Sequence, residues 1–189
     1  MFTLTLTRSI LMTSDPSELD GLRSLQSQAV AAIYDRYFAE VYRYVRYRLG
    51  DELLAEDITS EVFFRLLKAE QGRRGPKKNM RGWLIGTANH IVNDHLRHKY
   101  RRPQVKLEET HASDGHALAD EVENQDRTRF LQSALTLLTA DQQNVLALRF
   151  SLNYSLEETA AVMVKNVNAI KQLQYRALAA LFRQMAKYK

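Results

Sequence analysis

Apolar residues recur at three- and four-residue steps along most of this chain, the period of one helix face. From Ala29 to Leu49, AVAAIYDRYFAEVYRYVRYRL places Ile33, Tyr37, Val41, Tyr44, Val45 and Leu49 on one side, and Gly50 follows as a C-terminal cap. A second helix is predicted from about Leu53 to Glu70, with Leu54, Ile58, Val62, Phe63, Leu66 and Leu67 inward. QGRRGPKKN (71–79) interrupts the period with Gly and Pro and reads as a basic loop. Two further helical patterns run from Met80 to Ala88 and from about His90 to Tyr100. Residues 1–27 are polar with turn residues and read as a loose arm or short helix. The period fades over 103–125, PQVKLEETHASDGHALADEVENQ, which has the composition of a flexible acidic linker. It returns with RTRFLQSALTLL (127–138). Thr139 with Gln142, and Ser155 with Glu158, then have the spacing of capping boxes that open two more helices. The predicted fold is all-α, with two small helical domains joined by that linker.

The stretch SLEETAAVMVKNVNAIKQLQYRALAAL (155–181) has two short helical patterns around a polar break, the layout of a helix-turn-helix. Leu156, Ala160 and Met163 share one face of the first helix; Val167, Ile170, Leu178 and Leu181 continue the inward face of the second. Asn166 suits an N-cap. Outward lie Asn168, Lys171, Gln172, Tyr175 and Arg176. Asn and Gln can pair with adenine edges, and Lys and Arg with guanine or phosphate. Helix pairs in ordinary bundles look similar, so this segment alone leaves DNA reading and plain packing both open. The break reads Val164-Lys165-Asn166 where such turns usually carry glycine. A β-branched residue is poorly suited to a positive φ, so the turn is expected to be rebuilt, with Lys165 or Asn166 taking the unusual backbone.

Charge sharpens the picture. The net charge of +5 is divided unevenly: 28–102 carries 15 basic and 9 acidic residues, 103–125 carries 1 and 6, and 126–189 carries 9 and 4. Two basic helical blocks flanking an acidic spacer favour a polyanionic partner over a merely solvated surface. With no cysteine, the chain has no disulfide, thiolate nucleophile or cysteine-ligated zinc, a composition that fits a cytoplasmic location. No apolar run approaches the ~20 residues needed to span a bilayer, and no signal peptide is predicted. Glu56, Asp57 and Glu61 cluster within one and a half turns, but lack a placed histidine or a phosphate-cradling loop. His90, Asp94, His95 and His98 share helix spacings, yet their mixed register among Arg and Lys fits a DNA-facing or solvated helix better than a metal site. No catalytic residue, metal or cofactor is predicted.

Residues from about 29 to 183 resemble bacterial sigma factors of the extracytoplasmic-function class, members of the sigma-70 family that keep two helical domains, regions 2 and 4. AIYDRYFAEVYRYVRYRLGDELLAEDITSEVFFRLLKA with RGWLIGTANHIVNDHLRHKYRRP is similar to region 2. LTADQQNVLALRFSLNYSLEETAAVMVKNVNAIKQLQYRALAAL is similar to region 4. The resemblance implies an arm at 1–28, region 2 at 29–102, the linker at 103–125 and region 4 at 126–189. It implies a subunit, not an enzyme, that joins core RNA polymerase at the clamp and flap of its large subunits. There it would read the −10 element, largely single-stranded, with region 2 and the −35 duplex with region 4. It further implies an anti-sigma partner.

Carried onto this sequence, polymerase docking falls to Glu56, Asp57, Ser60, Glu61 and Phe64, with Ser60 where the family usually has Gln. Reading of the −10 element falls to Asn89, His90, Asn93, Asp94, Arg97, Lys99, Arg101 and Arg102. The −35 element falls to Asn166, Asn168, Lys171, Gln172, Tyr175 and Arg176. Trp83 matches the family's Trp-Leu signature and is expected in the core. Leu173-Gln174 inverts the usual order, so one inward position is expected to become polar and one outward position apolar. The competing reading is a stand-alone helix-turn-helix regulator, which would need neither the acidic helix nor a melting segment.

Overall fold

The structure, a computed structural model, describes residues 14–101 and 130–186. Within them the regular structure is helical: α1 (Pro16–Arg23), α2 (Ser27–Leu49), α3 (Glu52–Gln71), α4 (Met80–Arg101), α5 (130–136), α6 (Ala140–Leu146), α7 (Leu156–Met163) and α8 (Val167–Met185). A π-helical turn, Ala147–Ser151, follows α6.

The ends of these helices follow from local chemistry. Gly50 closes α2 in the left-handed region at φ 76, where a side chain would be strained. Asp51 then caps α3 by accepting from Leu54 N–H. Asp15 and Pro16 open α1 together, the carboxylate accepting from Ser17 N–H at 2.9 Å. Both capping boxes form as the sequence predicts: Thr139 with Gln142, and Ser155 with Glu158.

α2, α3 and α4 form a three-helix core that α1 closes, with Leu19 and Leu22 buried in it. Ser14 ties α1 to α4, because its hydroxyl accepts from Met80 N–H at 2.8 Å and its own N–H reaches Lys78 O. The stretch read as a loose arm or short helix therefore contains a helix packed on the core.

α4 is continuous, whereas the sequence pattern suggested two segments meeting near Asn89. Asn89 does not break it because its amide finds partners on α2 and does not compete for the helix backbone. On α2 the expected stripe is buried from Ile33 to Val45, and only its last position differs. Arg48 is buried, while Leu49 sits at the edge and is half-exposed.

The second core gathers Leu135, Leu138, Val145, Leu146, Ala160, Ile170 and Ala177. The π-helical turn joins the two cores. Its wider winding, closed by Leu152 N–H on Ala147 O, turns Ala147, Leu148 and Leu152 into the first core while Val145 and Leu146 remain in the second. Tyr47 and Met163 touch both. Tyr154, also in the first core, donates to Glu40 at 3.0 Å, and Glu40 pairs with Arg81 at 3.0 Å.

Candidate nucleic-acid interface

The helix-turn-helix is α7, a tight turn and α8. Val164 itself takes the left-handed backbone, φ 53 and ψ 47, contrary to the expectation that Lys165 or Asn166 would. The reason lies on either side of it. Asn166 holds an extended φ of −79 so that its side chain can accept from Ala169 N–H at 2.7 Å and cap α8. Lys165 N–H, in turn, bonds back to Ala160 O. The geometry of the cap and this return bond leave the reversal to position 164. Its side chain is 91% exposed, so no packing offsets the strain.

α8 presents Asn168, Lys171, Gln172, Tyr175 and Arg176 to solvent, with Asn166 exposed at its start. Tyr175 is 74% exposed, an aromatic surface turned largely to solvent. Two inward assignments change. Leu178 is exposed, because at 100° per residue it falls on the Lys171 edge of the helix, and Ala177 is buried instead. Leu173 packs against the core and is not outward, whereas Gln174 does turn inward, accepting from Arg149 Nε at 3.0 Å. Arg149 also donates to Tyr154 O, so the inverted Leu-Gln pair is accommodated by one guanidinium.

The residues predicted for α4 divide between two faces. His90, Asp94, Arg97 and Lys99 are exposed, with Asp94 and Arg97 paired at 3.0 Å. His90 lies with Thr87 and Trp83 along an open cleft of about 390 Å³, whose other wall is Arg65, Lys68, Ala69 and Arg74. That volume is within the usual range of small-ligand sites. Trp83 thus does more than the core role expected of it: it packs partly on the core and partly lines this cationic cleft. Asn89 and Asn93 face the other way, toward Tyr44 and Arg48 of α2. The side chain of Arg101, all of Arg102 and the linker 103–125 lie outside the described residues.

On α3, Leu53, Glu56, Asp57, Ser60 and Phe64 are exposed along one side. Leu53 is 76% and Phe64 60% exposed, so two apolar side chains bracket a pair of carboxylates. Glu61 is half-buried and pairs with Arg65 at 2.7 Å. Among the described residues no group of His, Asp or Glu could hold a metal ion, and no helix is long and apolar enough to cross a membrane.

The family models for Sigma-70 region 2 and Sigma-70, region 4 match residues 33–102 and 134–183. The chain belongs to the sigma-70 family. It is 37% identical over 167 residues to the ECF RNA polymerase sigma factor BldN of Streptomyces coelicolor, an alignment covering 84% of this chain and 61% of BldN. It is 30% identical over 159 residues to the ECF RNA polymerase sigma factor SigX of Bacillus subtilis, covering 81% of each. The solved structure of CnrH in complex with the cytosolic domain of CnrY has the same fold, with a TM-score of 0.67 over 93% of this chain and 99% of that one at 19% identity. Like these ECF relatives the chain is a sigma factor, an initiation subunit and not an enzyme. Region 2 is thus built on α2, α3 and α4, and region 4 on α5 to α8.

Sequence reasoning missed a set of polar residues where the two regions meet. Arg48 Nη1 donates to the Tyr44 hydroxyl at 2.9 Å and to Asn89 Oδ1 at 3.0 Å. Its Nη2 donates to Asn93 Oδ1 at 2.7 Å and to Gln143 Oε1 of region 4 at 3.2 Å. Tyr44 lies 2.8 Å from Asn144 Oδ1; since Asn89 Oδ1 already accepts from Arg48 and Asn93, the Tyr44 proton goes to Asn144. Burial pushes the Tyr44 hydroxyl above the usual tyrosine range, which keeps it protonated for that role. One signal was present in the sequence: Arg48 follows Tyr44 by four residues on an otherwise apolar stripe.

Proposed function

We propose that this sigma factor binds core RNA polymerase through the exposed side of α3, reads the −10 element with α4 and its cleft, and reads the −35 duplex with α8. The observation that carries the reading is the presence of three exposed surfaces of different chemistry within one chain. α8 offers amides, cations and an exposed Tyr175 at major-groove spacing, which suits duplex readout. The α4 cleft combines an indole with His90, Thr87 and four flanking groups, three of them cationic, which suits an unstacked base on a phosphate backbone. The α3 side suits a protein partner, since Phe64 and Leu53 supply apolar anchors and Glu56 and Asp57 supply charge. A stand-alone regulator has no use for the second and third of these surfaces.

Asp57 and Glu56 are assigned to the clamp, with Ser60, Glu61 and Phe64 beside them, and region 4 to the flap. A solved structure of similar fold holds the sigma factor RpoE in complex with the anti-sigma factor NepR from Bartonella quintana, and by analogy an anti-sigma partner would cover one of these faces here. A cytoplasmic location goes with that role. The deciding experiment combines the protein, core polymerase and linear duplex bearing −10 and −35 elements. Initiation that depends on both elements is expected. Tight duplex binding without any binding of core would refute the reading.

A further inference from the structure

We infer that the cleft between the end of α1 and the loop after α3 binds a guanine nucleotide, with Glu70 reading the base and Arg23, Arg73 and Lys77 holding its phosphates. The site is separate from the surfaces proposed for promoter and polymerase. Arg74, the loop residue that lines the −10 cleft, is not among its residues.

The starting observation is a buried acid without a partner. Glu70, in the last turn of α3, is 8% exposed. Its carboxyl makes no hydrogen bond or ion pair among the described residues. A carboxylate taken out of water and left so is costly. Burial raises its pKa, and Arg23 opposes this only in part, its own guanidinium being paired with Asp20 at 2.8 Å. Glu70 lines an open cleft of about 450 Å³ together with Arg23, Arg73, Gly75, Pro76 and Lys77, a volume within the usual range of small-ligand sites. Glycine at position 75 leaves room for the acid, because a Cβ there would fall on its carboxyl.

This combination narrows the ligand. A cation is repelled by the three basic groups, and a simple anion by the carboxylate among them. A ligand that fits carries neutral hydrogen-bond donors at one end and negative charge at the other, which is the layout of a nucleotide. Guanine alone among the common bases places two donors side by side on its pairing edge, N1–H and the N2 amine, to match both carboxylate oxygens. Adenine and cytosine set an acceptor beside their amine, and uracil flanks its one N–H with two carbonyls. Each of these would press a lone pair against the carboxylate. The phosphates of a guanine nucleotide then meet Arg73 and Lys77, exposed on the loop, and Arg23 on α1, in charge-assisted hydrogen bonds.

Isothermal titration calorimetry of the full chain, at neutral pH and fixed salt, tests this with guanosine, inosine and adenosine 5′-diphosphates. The guanosine compound is expected to bind at least about tenfold more tightly than the inosine compound, which lacks only the N2 amine, and than the adenosine compound. E70Q should lower guanosine diphosphate affinity by a similar factor and level the three ligands. R73A with K77A should weaken all three alike and reduce the salt dependence. The comparison of ligands on the wild-type chain needs no variant to fold. Absence of guanosine diphosphate binding at millimolar concentration overturns the site, and so do equal affinities for the three ligands. A second arm separates a free nucleotide from a guanine within a DNA strand. A short single-stranded oligonucleotide with one guanine should displace guanosine diphosphate no better than its adenine counterpart. Preferential displacement by the guanine strand would assign the cleft to DNA and overturn a free-nucleotide site.

Discussion

Val164 is strained without any local reward: φ 53 on a β-branched residue whose side chain is 91% exposed. Holding it there costs on the order of 1–3 kcal/mol. Val164→Gly should therefore raise the melting temperature by several degrees in calorimetry, with the far-ultraviolet spectrum unchanged. An unchanged or lower midpoint would show that glycine's greater freedom in the unfolded chain outweighs the relief. Glu70 is strained electrostatically. Burial, only partly opposed by Arg23, raises its pKa, and its carboxyl lies where a Cβ on Gly75 would stand, so any side chain there would have to displace it. A raised folded pKa means that stability is lost as pH climbs through that value. Glu70→Gln should thus stabilise the protein near neutrality, and the advantage over wild type should vanish as pH falls below the ordinary carboxylate range.

At the scale of an element, each proposed face makes a separable prediction. Arg176→Glu on α8 should weaken −35 duplex binding by about tenfold or more in fluorescence anisotropy while leaving core polymerase association intact. Asp57→Arg on α3 should do the reverse, lowering core affinity by a similar factor in a pull-down titration. Equal core binding by the variant and wild type would remove α3 from the clamp assignment. The α4 cleft carries its own reporter, because Trp83 is the chain's only tryptophan and lines it. A −10 nontemplate-strand oligonucleotide bound in this cleft should change its emission, and Lys68→Ala with Arg74→Ala should weaken the effect. The exposed sides of α3 and α8 were legible in the sequence as outward positions of periodic helices, whereas the α4 cleft was not, because Trp83 reads as core and its opposite wall comes from α3 and the loop after it. Leu178 shows the limit of that reading. It sits at the edge of the stripe, where one or two residues of register decide exposure, and neighbours decide register.

Across the whole molecule, two cores share a boundary. Leu148 belongs to region 4 in sequence and to the region 2 core in space. Leu148→Ala should cost about 2–5 kcal/mol as a buried truncation. Because the damage falls on the contact between regions, the melting transition is expected to broaden or divide into two, where a single transition is expected for wild type. A uniform downward shift of a single transition would place the cost within region 4 alone.

The sequence by itself determined the helices, their caps and their outward chemistry, because propensity, capping boxes and a 3.6-residue period act within a few residues. It also placed an arginine in the middle of an apolar stripe without revealing its partners. Tertiary structure decided how the halves meet. Tyr44 and Asn144 lie 100 residues apart, and Arg48 and Gln143 are separated by 95. No local period encodes such pairs; they exist because a π-helical turn aims Leu148 and Leu152 at one core while the preceding helix serves another. The strain at Val164 was decided in the same way, since the cap at Asn166 and the return bond of Lys165 leave the chain nowhere else to reverse.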